Sequence, residues 1–343
     1  MTASLAIVAP GMMTTVQDLG RTGYQRFGLP VSGALDPVAL RTANVILGNA
    51  PDEAALEVAA QGPTIEVAAP SVRVVLAAGE TVLEILEPSA RRVPAQQSVR
   101  LERGQRFRVG PLTGTAIGYL AVEGGFDLKP LLGSRSTYVR AAIGGYQGRA
   151  LRAGDNLALN RAEAPEREDV VLPARLPALP PRVRVVLGPQ DDHFTAAGLK
   201  AFLGGEYQIT HESDRMGMRL SGPAIEHRHG FDIVSDGTAP GSIQVPGTKL
   251  PIVLLADRQT SGGYPKIATV ISADLPALGR LGPGAKIGFA AVTLAEAAAA
   301  RRALEDWIAA VPKRLVPAAA DAAVDDAALR SANLVSGVVN AYD

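Results

Sequence analysis

The sequence predicts a mainly β protein of the β-rich barrel type, with two subdomains and a few short helices. The first observation is a series of short apolar runs, rich in Val, Ile and Leu, that recur along the chain. The second is the content of turn-forming residues: 36 Gly and 25 Pro are spread over the chain, a share above the usual ~12%. The third is the length, because 343 residues suffice for two subdomains that each bury a core.

The apolar runs are short and separated by turn signals, as strands in a barrel or sandwich are. Their number and spacing favour such a fold over alternating βαβ units. The predicted strands are residues 5–9, 64–68, 72–77, 81–86, 106–109, 116–122, 156–159, 183–187, 251–255, 267–272 and 287–292.

Three helices have recognisable ends. The first is predicted to be capped by Asp36, to carry Pro37 in its first turn and to end at Gly48. The second covers 191–203 and is expected to begin at one of its two leading Asp residues. The third covers 293–311, opens with a Thr-x-x-Glu capping box and presents an apolar stripe.

A proline-rich segment divides the chain. Residues 161–182 hold five prolines among charged residues, a composition that disfavours regular structure and suits an extended linker. The division gives an N-terminal β-rich subdomain over 1–160, a C-terminal β-barrel over 183–311 and an Ala-rich tail over 312–343. A Gly-Pro-x-Ile-Glu sequence begins at Gly62 and again at Gly222, a faint sign of duplication.

Composition excludes several classes of protein. The 34 basic and 34 acidic residues balance, and aromatic residues make up only 4%, so nucleic-acid binding is not expected. The absence of Cys excludes disulfides, thiolate metal sites and a cysteine nucleophile. No apolar stretch approaches the roughly 20 residues of a membrane span, and no signal peptide is recognised. We therefore expect a cytoplasmic protein.

A polar segment, 257–266, lies between two apolar runs at 251–256 and 267–273. Such runs suit strands buried on both faces, and the Gly-Gly and Pro of the segment permit a tight turn between them. The segment combines an acid, two cations, an amide and a phenol, which are Asp257, Arg258, Lys266, Gln259 and Tyr264. Two interpretations stay open: a functional cluster on a rigid stem, or a solvated hairpin tip.

Further polar clusters occur in a fixed order. Residues 15–24 read Thr-Val-Gln-Asp-Leu-Gly-Arg-Thr-Gly-Tyr, residues 32–37 read Ser-Gly-Ala-Leu-Asp-Pro, and residues 213–223 read Ser-Asp-Arg-Met-Gly-Met-Arg-Leu-Ser-Gly-Pro. With the polar segment 257–266, these clusters make the chain similar to the allophanate hydrolase subunit 2 or KipA family. That family includes the C subunit of 5-oxoprolinase and part of the carboxyltransferase module of urea carboxylase. The resemblance covers most of the chain, from about residue 14 to 290.

The resemblance implies cyclophilin-like barrels and three alternative functions. The first is a subunit of a heteromeric, ATP-dependent 5-oxoprolinase that opens the lactam of 5-oxoproline to L-glutamate. The second is a biotin-dependent carboxyltransferase subunit acting on a urea-type nitrogen, and the third is a KipA-like regulator that binds a KipI-like inhibitor. The implied partners are an allophanate hydrolase subunit 1 or KipI-like protein and a third 5-oxoprolinase subunit.

The expected chemistry acts on an amide or ureido group. Cations such as Arg258 and Lys266 would stabilise developing negative charge, and Asp257 or Asp236 would accept or orient a proton. The side-chain amide of Gln244, like that of Gln259, offers a donor and an acceptor to a lactam. The remaining substrate-binding candidates are Tyr264, Arg215 and Asn44.

Each candidate also has a structural interpretation. Asp257 and Arg258 would form an ion pair that braces the turn, and Asp236 would be a turn residue. Arg215 would form a structural salt bridge, and Asn44 would cap a neighbouring strand. Lys266 is the strongest functional candidate, because a lysine entering a buried strand needs a partner.

Cofactor signals are few. The four histidines, of which only His227 and His229 lie close in sequence, do not form a persuasive metal-ligand set, so no metal is predicted. The chain has no phosphate-binding loop and no biotin-attachment lysine. ATP is therefore expected on, or shared with, a partner subunit, and biotin would be delivered by another polypeptide.

Overall fold

The computed structural model describes residues 3–318. Residues 3–160, the N-terminal half, form strands β1 to β11 around one core. The bounds are β1 Ser4–Ala9, β2 Met13–Gln17, β3 Ala55–Ala59, β4 Thr64–Val67, β5 Ser71–Ala77, β6 Leu83–Ile85, β7 Arg91–Val93, β8 Ser98–Glu102, β9 Arg106–Val109, β10 Ile117–Val122 and β11 Asn156–Ala158.

These strands form two antiparallel sheets, ordered β11-β1-β4-β9-β6-β7 and β2-β3-β10-β5-β8. Their inner faces share a core that includes Leu5, Leu56, Phe107 and Leu120, all fully buried. Period-two alternation produces this packing, because alternate residues of each strand point to the same side. In β4, for example, Ile65 and Val67 are buried whereas Thr64 and Glu66 are half-buried.

Residues 161–318, the C-terminal half, contain the later strands, β12 to β23. Their bounds are β12 Val170–Val171, β13 Val183–Leu187, β14 Tyr207–Ile209, β15 Gly217–Ser221, β16 Asp236–Gly237, β17 Ser242–Gln244, β18 Ile252–Leu254, β19 Ser261–Gly262, β20 Lys266–Val270, β21 Lys286–Ile287, β22 Phe289–Ala291 and β23 Val316–Pro317. Eight of them form one sheet, ordered β21-β14-β15-β18-β17-β20-β13-β22. Its two edge strands, β21 and β22, are consecutive in the chain, so the sheet is a nearly closed barrel. The prediction of a mainly β, barrel-like fold is confirmed.

The α-helices are α1 Pro37–Leu47, α2 Ala196–Gly204, α3 Leu275–Gly279 and α4 Leu294–Ala309. Short 3-10 helices cover Gln25–Phe27, Val139–Ala141, Asp191–His193 and Val311–Arg314. No helix within residues 3–318 is both long and apolar enough to cross a membrane.

The ends of α1 and α4 follow the sequence. One carboxylate oxygen of Asp36 accepts hydrogen bonds from the backbone N–H groups of Val38 and Ala39, each 2.9 Å long. Gly48 ends the helix at φ 73°, a left-handed conformation that glycine adopts without strain. The capping box of α4 is present between Thr293 and Glu296.

The predicted start of α2 is wrong. Asp191 and Asp192 begin a 3-10 turn, and the α-helix starts only after Thr195, whose hydroxyl accepts a 3.0 Å bond from Gly198 N–H. The cause is Phe194, which is fully buried in an extended conformation and so interrupts the helix.

The proline-rich segment lies against the N-terminal half. Arg73, fully buried, donates to the carbonyl oxygens of Pro165 (3.0 Å) and Arg167 (2.8 Å) and to Asp169 (2.8 Å). Beyond residue 311 the chain is described as far as 318, where β23 pairs with β12. The rest of the predicted Ala-rich tail lies outside the described residues. The division at 160, 182 and 311 stays a prediction.

Candidate functional site between the two halves

The polar segment is not the tip of a hairpin. Strands β18 and β20, which flank it in sequence, do not pair with each other, because β17 lies between them and pairs with both. Part of the polar segment is itself paired, since Ser261–Gly262 (β19) forms a short antiparallel ladder with Asp236–Gly237 (β16). As a result Asp257, Arg258 and Lys266 are buried, with exposed fractions of 7%, 2% and 2%.

Lys266 and Asp236 form the first part of the site. Their Nζ and Oδ2 atoms lie 2.9 Å apart, and the side-chain amide of Gln190 donates a longer, 3.4 Å bond to the same oxygen. The ammonium group is buried, whereas the side chain of Asp236 is 52% exposed. The hydrogen bond from Lys266 lowers the pKa of Asp236, so the carboxylate is ionised at neutral pH.

Gln244 and Gln259 lie next to this pair. Gln259 Nε2 donates to Gln244 Oε1 at 3.0 Å, whereas Gln244 Nε2 is buried and has no hydrogen-bond partner in the described chain. A buried amide donor without a partner costs free energy, so it calls for an explanation, and a bound ligand would supply one. The backbone of Gly262 makes this placement possible, because a Cβ atom there would lie 2.5 Å from Gln244 Nε2.

Arg215 and Asp257 form a second part, which connects the halves. Arg215 donates to Asp257 through Nε (2.9 Å) and Nη2 (3.3 Å), to the carbonyl of Gly33 (2.6 Å) and to the carboxylate of Glu57 in β3. Burial alone would lower the pKa of Arg215, but the two carboxylates prevail and raise it. Glu57 in turn accepts a 2.6 Å hydrogen bond from the Tyr119 hydroxyl.

This second part borders a cavity of about 380 Å³ at the junction of the halves. Its polar lining includes Thr15, Glu57, Asp214 and Arg215, and apolar residues such as Met218 and Leu281 complete it. The volume lies within the range of small-molecule sites, and a mainly apolar wall with few convergent polar groups is their usual composition.

The other predicted residues fall in different places. Within residues 3–318 no carboxylate forms an ion pair with Arg258, and its guanidinium donates to the carbonyls of Thr238 (3.4 Å) and Leu255 (3.3 Å). The ion pair between Asp257 and Arg258 that would brace the turn is therefore not formed. Tyr264 is 41% exposed at the surface. Asn44 bonds to Glu53 and Asn49 within the N-terminal half and contacts none of the other candidates.

Comparison with known proteins identifies the family. The sequence profile of the carboxyltransferase domain, subdomain A and B, matches residues 27–291. The chain is 36% identical to the 5-oxoprolinase C subunit of Escherichia coli over 87% of this chain and 94% of that protein. It is 37% identical to the 5-oxoprolinase C subunit of Haemophilus influenzae, over 86% of this chain and 93% of that protein. The chain belongs to the carboxyltransferase domain family.

A solved structure of the family has the same fold. The urea amidolyase of K. lactis superimposes with a TM-score of 0.82 at 28% identity, over 90% of this chain. This chain corresponds to only 20% of that much longer protein. The resemblance to the allophanate hydrolase subunit 2 group, which includes the C subunit of 5-oxoprolinase, is confirmed.

Sequence reasoning missed Glu57 and Tyr119, the residues that the N-terminal half contributes. The signal was present for Glu57, which is a lone acid within the apolar sequence Ala-Ala-Leu-Glu-Val-Ala-Ala at 54–60. A carboxylate inside a buried strand needs a charged or hydrogen-bonding partner, here Arg215 and Tyr119. Burial raises the pKa of Tyr119 well above its usual range, so its hydroxyl keeps its proton and donates to Glu57.

No metal site is visible in the part of the chain that the structure describes. Within residues 3–318, no three His, Asp or Glu side chains gather in a way that would hold a metal ion. The prediction that the protein binds no metal stays a prediction.

Proposed function

We propose that this family member is a subunit of a heteromeric, ATP-dependent 5-oxoprolinase, which opens the lactam of 5-oxoproline to L-glutamate. The observation that carries the proposal is the similarity to a protein named as a 5-oxoprolinase subunit, over nearly the whole of that protein. The chain aligns with 94% of the 5-oxoprolinase C subunit of E. coli, whereas it matches only a fifth of the length of the K. lactis urea amidolyase. The identity is also higher, at 36% with the 5-oxoprolinase C subunit against 28% with the urea amidolyase.

The buried polar groups suit attack on a lactam. The free Nε2 donor of Gln244 would bind the lactam oxygen, and the Lys266 ammonium would stabilise the negative charge that develops there. Asp236 is the candidate proton acceptor, because it is ionised and its side chain is half exposed to water. We assign Asp257 a positioning role, since both its oxygens bind Arg215.

The nucleotide would be supplied by the assembly. The relatives are named as subunits, which implies partner subunits. We propose that the partners are a protein similar to allophanate hydrolase subunit 1 and a third 5-oxoprolinase subunit. ATP would bind on one of these or at their junction with this chain, since the sequence lacks a phosphate-binding loop.

A second function is favoured by one observation, the TM-score of 0.82 to a urea amidolyase within a family named for carboxyl transfer. In that case the same groups would bind the ureido ring of biotin, delivered by a carrier protein, and a urea-type acceptor.

The decisive experiment is reconstitution. The chain is co-expressed with the two partner subunits, and glutamate formed from 5-oxoproline and ATP is measured, with each subunit omitted in turn as a control. Turnover that requires this chain supports the proposal. A well-folded complex without turnover overturns it, and fixation of labelled bicarbonate on urea with a biotin carrier would establish the second function. Binding to a KipI-like protein without either activity would indicate the regulatory alternative.

A further inference from the structure

A smaller cavity of about 160 Å³ lies between the two halves and adjoins the one described above, with which it shares Leu35 and Leu255. The loop 31–37 forms one wall, and residues 254–258 together with Pro240 and Leu275 form the other. Pro240 is exposed and Leu275 half-buried, so the cavity opens to solvent on that side. The polar side chains of its lining are those of Arg258 and Ser32.

Arg258 is a buried cation that has no counter-ion among the residues that the structure describes. It is 2% exposed, and no acidic side chain within residues 3–318 lies within 4.0 Å of its guanidinium. Its two hydrogen bonds, at 3.3 and 3.4 Å, are long and go to uncharged carbonyl oxygens. Burial lowers its pKa, and no carboxylate opposes that effect. A buried charge is normally paired, because the free energy of removing it from water is otherwise not recovered.

Ser32 presents a second polar atom without a partner. The residue is 5% exposed, and its Oγ makes no hydrogen bond within the described chain. Its backbone has φ 54°, an unfavourable conformation for a residue other than glycine. The backbone N–H of Ser32 donates to the carbonyl of Ala256, 3.1 Å away, so the loop is fixed beside Arg258. A hydroxyl donor and a guanidinium therefore line the same small space.

We propose that this cavity binds the carboxylate of a compact ring-shaped ligand, with Arg258 as its counter-ion and Ser32 Oγ as a hydrogen-bond donor. The carboxylate would supply the missing negative charge. The apolar remainder of the lining, which includes Val31, Pro37 and Leu254, would contact a small ring of five or so atoms. A volume of about 160 Å³ suits a small ring and does not enclose a whole nucleotide.

The proposal rests on the proposed function for the natural ligand, because 5-oxoproline is a five-membered ring with a carboxylate. Lys266, Asp236 and Gln244 do not line this cavity, so it would be a second site for that ligand and not the position in which the lactam opens. Urea itself carries no charge and would not be held by this cavity, whereas a carboxylated intermediate or product of the second function would. The site itself, however, is tested by binding alone, without turnover.

The first experiment uses the full-length chain and three small ligands in isothermal titration calorimetry. The ligands are 5-oxoproline, cyclopentanecarboxylate, which keeps the charge but lacks the lactam, and 2-pyrrolidinone, which keeps the lactam but lacks the charge. We expect both carboxylates to bind at least about tenfold more tightly than 2-pyrrolidinone. Equal affinity for all three, or no binding of either carboxylate, would overturn the proposal.

The second experiment locates the site. Arg258→Gln should weaken both carboxylates at least about tenfold and leave 2-pyrrolidinone unchanged, and Ser32→Ala should weaken them about threefold. Arg301→Gln is the matched control, because Arg301 lies on α4 in a surface pair with Glu305. Unchanged affinity in folded Arg258→Gln sinks the proposal; if that variant does not fold, Ser32→Ala decides.

The two proposals can fail separately. Charge-dependent binding that Arg258→Gln abolishes, in a chain whose assembled complex does not turn over 5-oxoproline, retains this site and removes the proposed function. If the assembly turns over 5-oxoproline but the chain's affinity for carboxylates does not depend on Arg258, the proposed function is retained and this site is removed.

Discussion

Arg215 of the C-terminal half and Glu57 of the N-terminal half form an ion pair at the junction between the two halves. The exposed fractions of their side chains are 18% and 5%. Asp257 binds the other edge of the same guanidinium, with Nε to Oδ2 at 2.9 Å. The three side chains hold the polar segment against β3, so that a single hydrogen-bonded network connects the halves beside the 380 Å³ cavity.

Glu57→Gln should therefore destabilise the protein. The amide can still accept from the Tyr119 hydroxyl and the Leu35 N–H, but it no longer compensates the charge of Arg215. We expect a loss of about 3 kcal/mol in the free energy of unfolding, typical of a buried pair that loses one partner. Urea denaturation measures it. Glu305→Gln, which breaks a half-exposed pair with Arg41, is the control and should cost less than about 1 kcal/mol.

Gly262→Ala should impair the site without unfolding the protein. A Cβ at residue 262 would meet Gln244 Nε2, so the amide must move and its bond to Gln259 is disturbed. Gly237→Ala on the paired strand is the matched control, because a Cβ there meets nothing within 4 Å. We expect at least about a tenfold lower kcat in the assembled enzyme for the first variant only. Equal activity of the two variants would show that the position of Gln244 is unimportant.

Asp36 should make stability depend on pH in an unusual direction. Burial raises its pKa from 3.8 to about 6, although Arg280 Nε lies 3.0 Å away and opposes the effect. Because the folded protein retains the proton between these values while the unfolded chain releases it, this group removes stability as the pH rises from about 4 to 6. The loss is up to about 3 kcal/mol at pH 7.

Asp36→Asn, which keeps an oxygen to cap α1, should lack this dependence. Urea unfolding at pH 4, 5 and 7 should show the variant gaining on the wild type as the pH rises. Parallel stability curves would mean that Asp36 is ionised in the folded protein throughout this range.

Local sequence patterns predicted the parts of the fold that depend on neighbouring residues. The caps of α1 and α4 and most strands of the cores follow from short-range hydrogen bonds and period-two alternation. The insertion of β17 between β18 and β20 could not be predicted, because sheet order is set by tertiary pairing and not by sequence neighbours. The hairpin interpretation was wrong for that reason.

The candidate site was predicted on one side only. The structure brings together Lys266, Asp236, Gln244 and Gln259. The sequence signal for them was a polar or charged side chain within or beside an apolar run. Their separation from the group of Arg215 and Asp257, and the contribution of Glu57 in β3, depend on how the two halves pack. Asn44 was a predicted site residue that the structure places elsewhere. Its side-chain amide donates to the backbone carbonyl of Glu53 and so stabilises the N-terminal half.

The most direct measurement concerns Lys266 in the assembled enzyme. Lys266→Met keeps the length of the side chain and removes the ammonium, and Lys286→Met, which breaks the exposed pair with Glu206, is the control. With 5-oxoproline and ATP, we expect glutamate formation to fall at least about a hundredfold in Lys266→Met and to stay near wild type in Lys286→Met. Wild-type turnover by a folded, fully assembled Lys266→Met enzyme would contradict the assignment of Lys266, and with it the catalytic site proposed for this chain.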